Sequence, residues 1–141
     1  VARKLRVALA AELQPILCVG ETLEERQAGR AESVVSRQIE LALAGVEGDL
    51  VGRLALAYEP RWAIGTGLVP TPDQITEILQ HIRRRLVAQL GEGGRAPAIL
   101  YGGSVKPGNA AELLSLPGCG GALIGGAALD AGEFAAIAAA R

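Results

Sequence analysis

Apolar positions alternate between short continuous runs and longer stretches with helical spacing. Ile16-Leu17-Cys18-Val19 is an apolar run closed by Gly20, and Val35, Ile39, Ala42 and Val46 then recur at intervals of four, three and four. That sequence predicts a buried strand followed by an amphipathic helix. Leu54 to Tyr58 is the next strand-like run. Ile75, Ile78, Leu79 and Ile82 mark the helix after it, whose start is signalled by Thr71-Pro72-Asp73-Gln74. Thr71 can cap there, Pro72 suits the first turn, and Gln74 can close a capping box. Ala98 to Tyr101 is the third run, with a helix expected through Ala110 to Leu116. Ala122-Leu123-Ile124 is the fourth, before a last helix in which Asp130 caps and Glu133 stands three residues on. Arg3 to Leu13 reads as the middle of one more amphipathic helix. The chain begins with Val1 rather than Met, so it is expected to be part of a longer one.

Strand and helix in strict alternation call for a parallel sheet, since crossover helices exclude tight hairpins. Runs that are continuously apolar, rather than alternating, imply strands covered on both faces. A small doubly wound sheet and part of an eight-stranded βα barrel both satisfy this pattern. Each run ends in glycine or a polar residue at its C-terminal edge, where both architectures place ligands.

Composition narrows the class without choosing a function. Of 141 residues, 50% are hydrophobic, which suits helices packed on short strands and is enough for one domain with a core. The net charge of −1 gives no reason to expect a nucleic-acid or anionic-membrane partner. Arg83, Arg84 and Arg85 form a basic run after a helical apolar stripe and are expected on a solvated face. The lone histidine, His81, is expected on the surface of the same helix. Cys18 reads as a buried thiol and Cys119 lies in a glycine-rich turn, with no metal-type spacing between them. Neither a disulfide framework nor a metal site is expected, and with no signal or membrane-span pattern the reading is a soluble cytoplasmic protein.

Candidate chemistry stands at the strand ends. Glu59, in Ala57-Tyr58-Glu59-Pro60, leaves an apolar strand at the edge where such folds do chemistry. Partial burial would suit it to act as a general base; a helix cap or an arginine partner is the plainer alternative. Trp62-Ala63-Ile64-Gly65-Thr66-Gly67 follows at once, between Pro60 and Pro70. Such a loop can move as a rigid lid with an apolar tip, or it is simply a βα loop whose Trp fills a groove. Tyr101-Gly102-Gly103-Ser104-Val105 and Ile124-Gly125-Gly126-Ala127 follow consecutive strands. Paired glycines let backbone N–H groups approach an anion, Ser104 adds a donor, and a helix start adds a favourable dipole, so the pair favours a phosphate.

Taken in order, Cys18 to Arg26, Ala57 to Pro60, Trp62 to Gly67, Tyr101 to Lys106 and Gly125 to Ala127 resemble the signatures of the triosephosphate isomerase family, at that family's intervals. The resemblance covers essentially the whole chain. It implies an α/β fold of the (β/α)₈ TIM-barrel type, here a C-terminal half-barrel of four βα units in one domain over residues 1–141. It also implies interconversion of dihydroxyacetone phosphate and glyceraldehyde 3-phosphate, a step of glycolysis and gluconeogenesis, with no cofactor and no metal.

By that resemblance Glu59 is the base that moves the proton, and Gly65, Ser104, Gly125 and Gly126 hold the substrate phosphate. Pro60, Trp62, Ala63, Ile64, Thr66 and Gly67 form the lid, with Glu21, Tyr58 and Tyr101 as its partners. Two departures stand out: Arg61 occupies a hinge position that is apolar in the family, and Pro70 stiffens the far hinge. The family's first four strands are not in this sequence, and with them go its electrophilic His, its substrate-binding Asn and Lys and its main dimer loop. The resemblance therefore implies a homodimeric parent and a half that needs a complementary half-barrel. A phosphate-binding half-barrel without activity is the alternative for the chain alone.

Overall fold

The computed structural model describes residues 1–46, 48–66 and 68–140. Helix α1 (Ala2–Ala10) precedes strand β1 (Ile16–Val19). Helices α2 (Leu23–Gln27) and α3 (Ala31–Leu43) lead to β2 (Ala55–Tyr58), then α4 (Pro72–Leu90), β3 (Ala98–Tyr101), α5 (Pro107–Leu114), β4 (Gly121–Ala122) and α6 (Ala131–Ala138). The strands form one parallel sheet in the order β1-β2-β3-β4. Sequential order without a switch point is the arrangement of a barrel wall, not of a doubly wound sheet.

Local signals explain most boundaries. Thr71 accepts from the Gln74 N–H while the Gln74 side chain accepts from the Thr71 N–H, so the expected capping box starts α4 behind Pro72. Asp130 likewise accepts from the Glu133 N–H at the start of α6. Helix α5 begins at Pro107 rather than Ala110, because Lys106 is extended and proline suits the first helical position. Strand β4 is shorter than its apolar run: β3 ends at Tyr101, and past Ala122 the Leu123 N–H bonds the Tyr101 carbonyl where the ladder stops.

The core lies between the sheet's outer face and the helices. Leu17, Val19, Leu56, Tyr58, Ile99 and Tyr101 point outward from the strands and are buried. Against them α4 presents Ile75, Ile78, Leu79, Ile82 and Leu86, all fully buried, each contributing about 1.5–3 kcal/mol relative to exposure. On the concave face of these four strands Ala57 is fully buried, while Ile16, Cys18 and Ala98 are exposed and Leu100 is half-buried. Cys18 is therefore not the buried thiol its apolar run suggests. Within a strand alternate residues take opposite faces, and only the outer one meets helices here.

The arginine run and His81 also differ from expectation. Only Arg84 is a solvated residue. Arg83 turns back, its guanidinium donating to the carbonyls of Gly94 (2.8 Å), Arg95 (3.0 Å) and Pro97 (2.7 Å), and Arg85 is half-buried. His81 is tucked between helices, with Nε2 2.7 Å from Ser36 Oγ and Nδ1 3.1 Å from Glu32 Oε1. Arg83→Met is expected to destabilise the chain by about 2–3 kcal/mol, because three carbonyls leading into β3 lose a charged donor. Urea unfolding at neutral pH measures it, and a midpoint equal to the parent's would show water replacing the guanidinium freely.

Candidate active site

Backbone hydrogen bonds carry the parallel pairing past the ends of the strands and so position the loops there. The Glu59 N–H bonds Val19 O at 2.8 Å, Arg61 N–H bonds Glu21 O at 3.0 Å, and Gly102 N–H bonds Tyr58 O at 2.8 Å. Glu59 thus emerges between the β1 and β3 loops, its own N–H held by β1 and the preceding Tyr58 carbonyl held by the β3 loop. Its half-buried side chain lies over Gly102, where an added Cβ would sit 2.5 Å from Glu59 Cγ. Glycine at 102 is what leaves the carboxylate room.

Beside it lies a cleft of about 710 Å³. Glu59, Ala63, Ile64, Gly65, Ser104, Gly125 and Gly126 all line it, so residues spread over 68 positions meet in one cavity. Among the described residues no protein acceptor takes the N–H of Gly103, Ser104, Gly125 or Gly126. Those amides leave donors available to an anion. Asn109 fixes the first turn, donating to Ser104 O at 2.9 Å and accepting from the Lys106 N–H at 2.8 Å.

Lys106 and Glu133 line the cleft as well. Among the described residues Lys106 is the one cation that lines the cleft. The available signal was a charge at the close of the Tyr101-to-Val105 motif, directly before the proline that opens α5.

The residues assigned to the lid do not all face the cleft. Trp62, in a 3₁₀ turn over Arg61–Ala63, donates from Nε1 to Glu21 Oε1 at 2.9 Å. The same oxygen accepts from Tyr58 Oη at 3.1 Å and lies 3.5 Å from Arg26 Nε. Glu21 is fully buried, so these contacts offset the desolvation of its charge. They also tie the base of the loop to the β1 end. Thr66 Oγ1 donates to Trp62 O at 2.6 Å and accepts from the Leu68 N–H at 3.2 Å, while Gly65 takes φ +69 at the tip. Pro60 is buried and its carbonyl accepts from the Ala63 N–H at 2.8 Å. Gly67 lies outside the described residues. Tyr101 sits behind the sheet with its ring 6.4 Å from that of Tyr58, and its hydroxyl is buried without a partner among the described residues.

Three hydroxyl or thiol groups are shifted. Cys18 faces the Glu59 carboxylate, and although its side chain opens on the concave face its pKa is pushed up to about 11. Desolvation among the strand ends comes first, then the charge of Glu59 and the hydrogen bond to it. Tyr101 rises to about 12 through burial, and Tyr58 is raised by burial and then by Glu21. A raised acid pKa means that the folded state holds its proton more tightly. Stability from these groups is present below the unfolded values and is lost as pH rises through the window to the folded ones. The urea midpoint is therefore expected to fall between about pH 9 and 11, where Cys18 titrates, and further toward pH 12. Cys18→Ser should remove the first part of the fall; an unchanged profile in that variant would exclude the thiol as its source.

A sheet of sequentially ordered parallel strands, with a carboxylate and two glycine turns converging at its carboxyl edge, is the arrangement of part of a βα-barrel wall. The family model for triosephosphate isomerase matches residues 1–141. The chain is 52% identical over 138 residues to the triosephosphate isomerase of Nitratidesulfovibrio vulgaris and 50% identical over 137 residues to that of Herminiimonas arsenicoxydans. Each match covers 97% of this chain and 55% of the relative. That of Acidiphilium cryptum is 53% identical over 146 residues, covering 99% of the chain and 57% of the relative. The chain belongs to the triosephosphate isomerase family and corresponds to the C-terminal half of its barrel. It spans little more than half the length of these curated relatives. Among the described residues no helix is long and apolar enough to cross a membrane.

Proposed function

We propose that the protein to which this chain belongs interconverts dihydroxyacetone phosphate and D-glyceraldehyde 3-phosphate, with Glu59 as the base. The observation that carries this reading is the single cleft shared by the Glu59 carboxylate and the free amides of the two glycine turns. A phosphate seated on Ser104, Gly125 and Gly126, with Lys106 supplying positive charge, would hold the triose with its carbons toward Glu59. The carboxylate takes a proton from one carbon and returns it to its neighbour, while the hydroxyl proton passes from the first carbon's oxygen to the second's, and an enediolate lies between. Electrons are redistributed within one molecule, so the step needs neither cofactor nor metal. Gripping the phosphate remotely makes binding energy available for closing the loop from Pro60 to Pro70, with the Gly65 amide completing the phosphate site. Closure excludes water from the reactive enediolate.

The chain alone is proposed to bind but not to turn over. An enediolate oxygen needs an electrophilic donor, and His81 is engaged with Ser36 and Glu32 on the helix layer, outside the cleft lining. The apolar concave face, with Ile16, Cys18 and Ala98 exposed, fits a complementary set of four strands that would supply that donor. A homodimeric parent and a cytoplasmic setting complete the proposal and rest on the family resemblance. The test is an isomerase assay of the purified 141-residue chain, alone and mixed with the N-terminal half of a relative's enzyme. Turnover only in the mixture is expected. A folded mixture without turnover would overturn the reading, and turnover by the chain alone would overturn the need for a second half.

A further inference from the structure

We propose that Gln38 is a positioning residue for Glu59, holding from helix α3 the backbone segment on which the carboxylate's own peptide rests; the inference builds on the reading of Glu59 as base. At the C-terminal end of β1 the carbonyls of Val19 and Glu21 both turn toward β2, where they accept from Glu59 and Arg61. The intervening Gly20 must then direct its N–H and C=O away from β2, toward helix α3. There the Gln38 carboxamide meets both groups: Oε1 accepts from the Gly20 N–H at 2.8 Å and Nε2 donates to Gly20 O at 3.0 Å. One side chain thus satisfies both backbone groups of Gly20. It is the sole pairing of a side-chain amide with both backbone groups of one residue among the described residues.

What Gly20 touches gives this clamp its consequence. A Cβ on Gly20 would lie 1.9 Å from Glu59 O, 2.5 Å from Glu59 C and 3.2 Å from Pro60 N, so its Cα packs directly on the Glu59–Pro60 peptide. The segment that Gln38 clamps also carries Cys18, whose thiol meets the Glu59 carboxylate, and Glu21, which holds Trp62. A helix side chain thus sets the height of the β1 end, and that end sets both the base and the root of the lid. Releasing the clamp lets Gly20 drift and Glu59 with it, and a displacement of about 1 Å costs on the order of 100-fold in rate.

Alkylation of Cys18 tests this without relying on activity, because the thiolate forms more readily when the Glu59 carboxylate moves off. Rates would be read by peptide-resolved mass spectrometry, which separates Cys18 from Cys119, in the 141-residue chain and in Gln38→Ala, Glu59→Gln and the double variant. Gln38→Ala is expected to raise the Cys18 rate by about threefold to tenfold, and Glu59→Gln by at least as much. The double variant is expected to match Glu59→Gln alone, the non-additivity of groups acting through one contact. An equal rise from Gln38→Ala in both backgrounds, or no rise, would overturn the proposal by making Gln38 an ordinary strand anchor. Should Gln38→Ala fail to fold, Gln38→Glu keeps the length and the acceptor for Gly20 N–H while opposing Gly20 O, and the same cycle applies. Amide exchange gives a second reading: protection at Gly20 and Glu59 should fall together, and loss at Gly20 alone would count against the idea. Were Glu59 not the base, the cycle would still report the Gln38–Glu59 coupling, so the two failures are distinguishable.

Discussion

Glu59→Gln is expected to lower isomerase turnover of the reassembled barrel by about 10³-fold, with KM changed little. The substitution keeps the side chain's length and its place over Gly102, so packing gives it no reason to fail to fold. What it removes is the proton acceptor. The phosphate anchors at Ser104, Gly125 and Gly126 are untouched, so binding should survive while chemistry does not. A comparable rise in KM would place Glu59 in binding instead. Retained turnover would move the base to another cleft carboxylate, of which Glu133 is the available one. The same variant relieves Cys18 of its charged neighbour, so faster alkylation of that thiol confirms that the carboxylate sat where the structure puts it.

Gly20→Ala is expected to destabilise the chain by about 3 kcal/mol, a fall in Tm of roughly 10 °C. The atom that the new methyl meets is the Glu59 carbonyl oxygen, part of a main chain pinned on both sides by Val19 and Gly102. A flexible side chain can swing aside from such a contact, whereas a paired backbone must shift as a unit. The strand end therefore moves or the Gln38 clamp opens, and the defect should exceed that of Gly52→Ala, where an added Cβ meets nothing within 4 Å among the described residues. Calorimetry on the two variants side by side decides it. Equal melting temperatures would show the β1 end to be far more pliable than its hydrogen bonds imply.

Much of the architecture was legible along the chain because its causes are local. The four-residue run Ile16–Val19, the Thr71–Gln74 box and the Asp130 cap each involve neighbours within a turn or two, and each stands where its residues direct. Glu59 and the two glycine turns were legible for a related reason. In a parallel βα fold every strand's carboxyl end lies on one edge, so residues at those ends converge whatever the helices between them do.

Other features depended on what stands across the gap. Cys18 looks as buried as Leu17 in sequence, yet only Leu17 has a helix over it. Arg83 and Arg84 are adjacent and chemically identical. One reaches three carbonyls of the turn before β3 and the other reaches half-buried Glu32. His81 meets Ser36 and Glu32 because α3 and α4 pack side by side, a contact 45 residues apart for Ser36 that no periodicity encodes. Gln38 is the fullest case: in sequence it is one polar position in an amphipathic helix, and its role depends on the edge of β1 lying within reach. Backbone preference and hydrophobic period, acting over a few residues, were enough to set the elements, their parallel order and the edge that carries the chemistry. Which polar side chains became buried partners, and of what, was settled only when helices and strand ends met, since a hydrogen bond forms where desolvation leaves a group with one acceptor in range.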